Sequence, residues 1–367
     1  MATTWPQALA WRARRHALDP VGDDVAEAVV ARLGAVPAAS DDAATLAVRV
    51  RQARSAPGEL AQALADGRLV RTYAFRGAVH LLAPQDGGAY LALRRAGRMW
   101  ERTSWQEHYR LAPGDWPDLR AAVREALTGG PLTRSELGDA VAAHARFAHL
   151  RPFFGDGTDT LLKPLTWFGD MSFAPSHGGR TAFQRLDTNP LWVDWPDLDE
   201  AGRHAVLAYV GTYGPATEEN VHHWLGAGLG AGRARLGRWL RELRDDWVVE
   251  VDVEGTPALV LRDHADGLAA TPASTAVRLL PSFDQWVLGP GTSDAHVVPP
   301  AHRAVVSRGA AVVTVGGVVA GTWDVVGDEL RVAVLDGGPA PRPEALAAEA
   351  TRLGSLLDRD LRRVTAG

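Results

Sequence analysis

Residues 69 to 82 read Leu69-Val70-Arg71-Thr72-Tyr73-Ala74-Phe75-Arg76-Gly77-Ala78-Val79-His80-Leu81-Leu82. Polar and apolar side chains alternate from Leu69 to Tyr73, Arg76-Gly77 supplies a turn, and Ala78 to Leu82 return as a second strand until Pro84 opens a helix. A period of two on both sides of a turn predicts a β-hairpin. Upstream the period changes: Val29, Val30 and Leu33 fall on one helical face, and Leu60 with Leu64 mark a shorter helix after Pro57-Gly58.

The same order recurs twice. A second cycle begins near Pro117. In Thr133-Arg134-Ser135-Glu136 the threonine oxygen can accept from an exposed backbone N–H while the glutamate reaches back to the cap. Leu161, Leu162 and Leu165 predict a further helix, and Met171-Ser172-Phe173-Ala174 alternates before a return through Phe183. In the third cycle Val206, Leu207 and Val210 precede Gly214-Pro215-Ala216-Thr217, where Thr217 caps a helix ending near Trp224. Leu236, Trp239, Leu240 and Leu243 then form a helical face before strands Trp247 to Val251 and Ala258 to Leu261. Helices followed by a short hairpin are the order of a winged helix, and three such units predict a tandem winged-helix body. A helix-and-hairpin domain that never meets DNA has the same order, so the pattern alone leaves function open.

After Asp263 short strands are predicted at Val277 to Leu280, Trp286 to Leu288, Ala311 to Val315, Val318 to Trp323 and Leu330 to Val334, a spacing that suits a compact sheet or small barrel. Pro343 opens a final helix whose apolar stripe is expected to run through Leu346, Leu353, Leu357, Leu361 and Val364. The fold class is therefore α+β, with expected units 1–112, 113–197, 198–266 and 267–367.

Composition narrows the function classes. A chain of 367 residues is long enough for several modules, and the absence of cysteine excludes disulfides, thiol catalysis and thiolate zinc sites. No run approaches about 18 uninterrupted apolar residues and the opening residues lack a signal-peptide pattern, so a soluble intracellular protein is expected, without membrane contact. There are 38 arginines, Lys163 is the single lysine and isoleucine is missing, a bias of GC-rich coding that weakens arginine number as a nucleic-acid signal. The formal charge is −5, but residues 1–110 carry a formal +4 and the remainder −9, which places any footprint for a phosphate backbone toward the front. His222-His223 are adjacent and point in different helical directions, unlike a zinc pair. Gly226-Ala227-Gly228-Leu229-Gly230 and Gly316-Gly317 lack a dinucleotide-binding context, and no Walker-type Gly-Lys-Ser or Gly-Lys-Thr is present. No cofactor and no metal are expected.

The run from Leu69 to Leu82, with Tyr213-Gly214-Pro215-Ala216-Thr217, Arg278-Leu279-Leu280-Pro281-Ser282-Phe283-Asp284-Gln285-Trp286-Val287-Leu288-Gly289 and Val318-Val319-Ala320-Gly321-Thr322-Trp323, resembles the winged-helix DNA-binding family that contains the AlkZ-like and YcaQ-like DNA glycosylases. The resemblance implies three tandem winged helices and a C-terminal β-barrel-like domain, arranged as a C-shaped clamp. It further implies a monomer acting on double-stranded, damaged DNA in the cytoplasm, at the nucleoid. Some members excise bulky or cationic alkylpurines and unhook interstrand crosslinks.

The same resemblance exposes a departure. Active relatives carry Gln-x-Gln or Gln-x-Asp soon after a Leu-Gly pair, where the side chains position water and stabilise the developing sugar cation. Reading on from Leu33-Gly34 puts Pro37 and Ala39 at those positions, and neither has a side chain able to do this. Asp41 and Asp42 follow closely, either as carboxylates that stabilise an oxocarbenium-like sugar and orient water, with Ser40 to hold that water, or as ordinary helix caps. Strand alternation points His80 away from its apolar neighbours toward the cleft, to bind phosphate or assist water activation, or else to fasten the hairpin. Arg71 and Arg76 are candidate phosphate contacts for the same reason. Gln285 and Trp323 are candidate DNA contacts, with packing as the alternative at both. Two readings follow: a glycosylase with a divergent site, or a noncatalytic DNA or lesion-binding protein. A winged-helix transcriptional regulator, or an RNA or protein scaffold, is a more distant alternative.

Overall fold

The short extended segment ahead of the second helix in each cycle organises the molecule. The computed structural model describes residues 3–155, 157, 159–175, 180–244, 246–361 and 363–366. Helices Ala26–Leu33, Asp41–Arg49 and Glu59–Ala65 form the first cycle, Trp116–Ala126, Arg134–Ala142 and Leu162–Trp167 the second, and Leu198–Tyr213, Glu218–Val221 and Arg233–Leu243 the third. Each is followed by its hairpin: Val70–Tyr73 with Val79–Leu82, Met171–Phe173 with Ala182–Arg185, and Val248–Val253 with Thr256–Leu261. Between the first two helices of each cycle a few residues pair with the returning hairpin strand: Val36 opposite Leu81 and Pro37 opposite His80, Leu132 opposite Phe183, and Ala216 opposite Leu259.

A hydroxyl then starts the next helix each time. Ser40, Thr133 and Thr217 accept from the backbone N–H three residues on, and the Glu136 carboxylate and Asn220 carbonyl accept in return from the backbone N–H of their caps. The first two cycles are fused into one six-stranded sheet where Arg71 pairs with Phe173. One apolar cluster running from Ala35 to Leu259 crosses all three cycles.

The C-terminal part corrects the barrel expectation. Its strands lie in the order Arg363–Ala366, Glu329–Val334, Val318–Val326, Val312–Val315, Val277–Leu280, a five-stranded open sheet whose two end strands do not pair with each other. Closure is unnecessary because helix Pro343–Leu357 packs against Val277–Leu280, and Trp286, Val297 and Val298, with Leu9 and Ala13 of helix Trp5–Arg15, fill the same core. The α+β class stands without a closed barrel.

Two local expectations also change. Trp286 to Leu288 is helical, Gln285–Leu288, because the Asp284 carboxylate accepts from the Trp286 backbone N–H at 2.8 Å and caps the turn. The final helix stops at Leu357, where Asp358 adopts φ +53, so Leu361 lies beyond it and Val364 belongs to the edge strand.

Arg51 and Asp284 join the first cycle to this C-terminal part. Both side chains are fully buried, with Nη1 2.8 Å from Oδ2 and Nη2 2.6 Å from Oδ1, and Nη1 also donates to the Ala47 carbonyl at 2.6 Å. Removing either partner strands the other charge out of water. Arg51→Met and Asp284→Asn should each lose about 3–5 kcal/mol of unfolding free energy, and the double variant less than the sum. Denaturant unfolding of the four proteins tests this; additive losses would rule out the coupling.

Candidate active site

The locus after Leu33-Gly34 is built by the end of a helix. Gly34 has φ +76 and terminates Ala26–Leu33, and a Cβ there would stand 2.7 Å from the Tyr90 hydroxyl. The last helix carbonyls need donors, which the third cycle supplies: the Tyr213 hydroxyl donates to Leu33 at 2.9 Å and the Thr212 hydroxyl to Arg32 at 2.5 Å. The chain then enters the strand Val36–Pro37, held further by Ala38 N–H donating to the Val79 carbonyl at 2.9 Å.

Strand alternation sorts the neighbouring side chains onto two faces. Val36 and Leu81 enter one apolar cluster, whereas Pro37, Thr72 and His80 are cross-strand neighbours on the other face. His80 is buried at 4% exposure, its ring 5.5 Å from that of Phe75, which in turn stacks on Trp224 at 4.0 Å. It therefore packs among aromatic rings instead of standing clear of them. Its Nδ1 lies 2.9 Å from the Ala78 carbonyl, a contact that requires Nδ1–H and leaves the lone pair on Nε2. Among the described residues Nε2 has no hydrogen-bond partner. Burial pushes the His80 pKa down to about 4, so the imidazole is neutral at pH 7.

The two aspartates are placed differently. Asp41 pairs with Arg71 at 2.6 Å, and Arg71 also donates to the Ala38 carbonyl at 2.5 Å. Both line a cavity of about 250 Å³ with Leu81, Phe173, Gln184 and Arg185, on the side of the hairpin opposite His80. Asp42 is exposed at the first turn of the helix that Ser40 caps. Ala39 is exposed and Pro37 half-buried.

The remaining candidates scatter. Arg76 is exposed at the hairpin turn, its Nη2 donating to His223 Nε2 at 2.8 Å; burial, then Arg76, push the His223 pKa down to about 4. Gln285 is fully buried beneath Tyr213, 3.4 Å from its hydroxyl. Trp323 is half-buried and donates its indole N–H to the Leu280 carbonyl at 2.9 Å. Those two side chains pack protein against protein. Phe75, Trp224 and His223 were not singled out from the sequence as site residues, although Phe75 precedes the hairpin turn directly. Among the described residues no group of three or more His, Asp or Glu is placed to hold a metal ion.

The family model described as DNA glycosylase AlkZ-like matches residues 30–356, a span that includes the Leu33-Gly34 locus, all three hairpins and most of the C-terminal sheet. The chain belongs to the AlkZ-like family. This AlkZ-like chain is 38% identical over 357 residues to the interstrand DNA cross-link repair glycosylase of Streptomyces sahachiroi, covering 95% of this chain and 94% of that protein. It superposes on the structure of Streptomyces sahachiroi DNA glycosylase AlkZ with a TM-score of 0.94, at 35% identity and with both chains fully covered. Pro37 and Ala39 stand within a backbone closely similar to that structure's.

The neutral histidines couple this AlkZ-like fold to pH. His16 is fully buried, neither ring nitrogen has a hydrogen-bond partner among the described residues, and burial, then Arg51 and Arg12, hold its pKa well below 6.5. Unfolded histidine titrates near 6.5, so the unfolded state binds more protons as pH falls toward 4, and stability falls with it. Each group adds about 1.4 kcal/mol of loss per pH unit inside that window. A His80→Leu variant should lose correspondingly less stability than the parent between pH 6.5 and 4.5 in denaturant unfolding; equal losses would place the His80 pKa near its unfolded value.

Proposed function

We propose that this AlkZ-like chain is a monofunctional DNA glycosylase for cationic N-alkylpurines in duplex DNA, bulky adducts and crosslinks included, with His80 in the role that the glutamine motif lacks. The observation that carries the reading is the free Nε2 lone pair of a neutral, buried imidazole beside Pro37. An N-alkylated purine is positively charged, so its glycosidic bond can break with the electron pair leaving on the base, which departs neutral. The sugar becomes oxocarbenium-like. Water adds through oxygen to the anomeric carbon and gives a proton to His80 Nε2, which later returns it to solvent. No acid is needed for the leaving group.

Asp41 fits this role less well, because its carboxylate is engaged by Arg71 on the other face of the hairpin. The second reading, a noncatalytic lesion binder that holds DNA without chemistry, is favoured by Pro37 and Ala39 themselves.

Single-turnover base release from duplex carrying one N7-alkylguanine separates the two. The glycosylase reading expects release above spontaneous loss, reduced on the order of 10²-fold in His80→Ala and little changed in Asp42→Asn. Saturated binding without release would leave the lesion binder.

A further inference from the structure

Cationic side chains converge on Gly77, and none of them meets a carboxylate among the described residues. A Cβ at Gly77 would lie 3.5 Å from Arg94 Nη2 and 3.9 Å from Lys163 Nζ, and Gly77 itself is buried with φ +69. The Arg94 guanidinium lies 4.6 Å over the Trp167 ring with its Nε buried and unpartnered, and the Lys163 ammonium sits 5.3 Å from the Tyr73 ring centroid. Arg76 precedes Gly77 in the turn, exposed, with its Nη2 on His223.

Several half-buried arginines hold a carboxylate or a backbone carbonyl: Arg120 and Arg124 share Asp170, Arg68 holds Glu27, and Arg15 donates to the Gly211 carbonyl. Arg94 and Lys163 make neither contact among the described residues. Asp159, four residues before Lys163, gives its carboxylate to Arg134 and to the Tyr73 hydroxyl. Two half-buried cations around one glycine repel each other and are poorly hydrated, a cost that an anion between them removes. Stacked on Trp167, the guanidinium keeps its edge available for a two-point contact, while lysine supplies a compact charge.

We propose that Arg94 and Lys163, with Arg76 at the rim, bind a backbone phosphate of the DNA strand that presents its base to His80. This assignment rests on the glycosylase reading for its orientation. Gly77 lies three residues from His80, roughly 10 Å along an extended chain. One segment links the two places: Trp224 stacks on Phe75 beside His80, and a Cβ at Gly230 would lie 3.8 Å from Arg94 Nη1. Gly77 carries no side chain between the two cations.

The test is a salt series of binding to undamaged duplex, read by fluorescence anisotropy, for the full chain, Lys163→Gln, Arg94→Gln and Lys163→Arg. Removing one of the charges that share this phosphate should lower the slope of log affinity against log salt, by at most about 0.9, and Lys163→Arg should keep the parent slope. An unchanged slope in Lys163→Gln with an unchanged melting temperature overturns the site. Base release from lesion duplex at saturating protein runs in parallel. A reduced slope in Lys163→Gln with no release by the parent supports the phosphate site while the glycosylase reading fails; release with unchanged slopes does the reverse. A parent that binds no duplex overturns both.

Discussion

The buried pair between Arg51 and Asp284 constrains the rest of the structure. Arg51 follows the helix that Ser40 caps, and Asp284 caps the turn that carries Gln285 and Trp286. With both charges out of water, neither end can shift without exposing an uncompensated ion. The first cycle and the C-terminal sheet are therefore held in one register. That register places Gln285 beneath Tyr213, whose hydroxyl braces the Leu33 carbonyl, so the loop bearing Pro37 and Ala39 is supported by residues far along the chain. His16 occupies the same junction, its ring edge-on to Tyr213 and Trp286 at 4.8 and 5.1 Å. Burial, with the flanking arginines, keeps it neutral.

Much of the fold was legible where structure is local. The hairpin from Leu69 to Leu82 shows in its alternation, and Thr133 and Thr217 show as caps because hydroxyl and partner lie three residues apart. The errors arose where a short apolar run satisfies either period. Trp286-Val287-Leu288 fits a strand as well as a helix, and only the Asp284 cap separates them. The stripe through Leu361 and Val364 looked continuous because spacing does not reveal the positive φ at Asp358. Whether a five-stranded sheet closes depends on pairing between its first and last strands, which no local pattern encodes.

The site was less legible because its geometry is nonlocal. Alternation does put His80 opposite Pro37, but Trp224 of the third cycle covers its ring. The tautomer follows from the Ala78 carbonyl, a backbone contact. Asp41 and His80 lie on opposite faces of the sheet, since Asp41, at the start of its helix, is drawn to Arg71 on the other face. Gln285 and Trp323 carried polar groups that looked available for DNA; inside the fold the Gln285 carbonyl faces Tyr213 and the Trp323 indole N–H meets a backbone carbonyl. Lys163 had a faint signal, as the one lysine in an arginine-rich chain, but its approach to Arg94 depends on how two cycles share a sheet.

A neutral imidazole is chemically suited to a cationic substrate in a way that a free carboxylate in this setting is not. An exposed carboxylate such as Asp41 collects an arginine, and once paired it has less charge to offer a sugar cation. Burial removes that competition at His80 by favouring the uncharged ring. On the proposed reading a cationic base beside it would push in the same direction, since a positive charge also disfavours protonation, and a bound lesion would keep the Nε2 lone pair free until bond breaking begins. When the base departs, its positive charge passes to the sugar and then to the attacking water. The water proton becomes acidic as its oxygen bonds to carbon, so even an imidazole of low basicity can accept it. On the proposed reading, the feature that makes His80 a weak base in the resting protein is the one that keeps it available for the reaction.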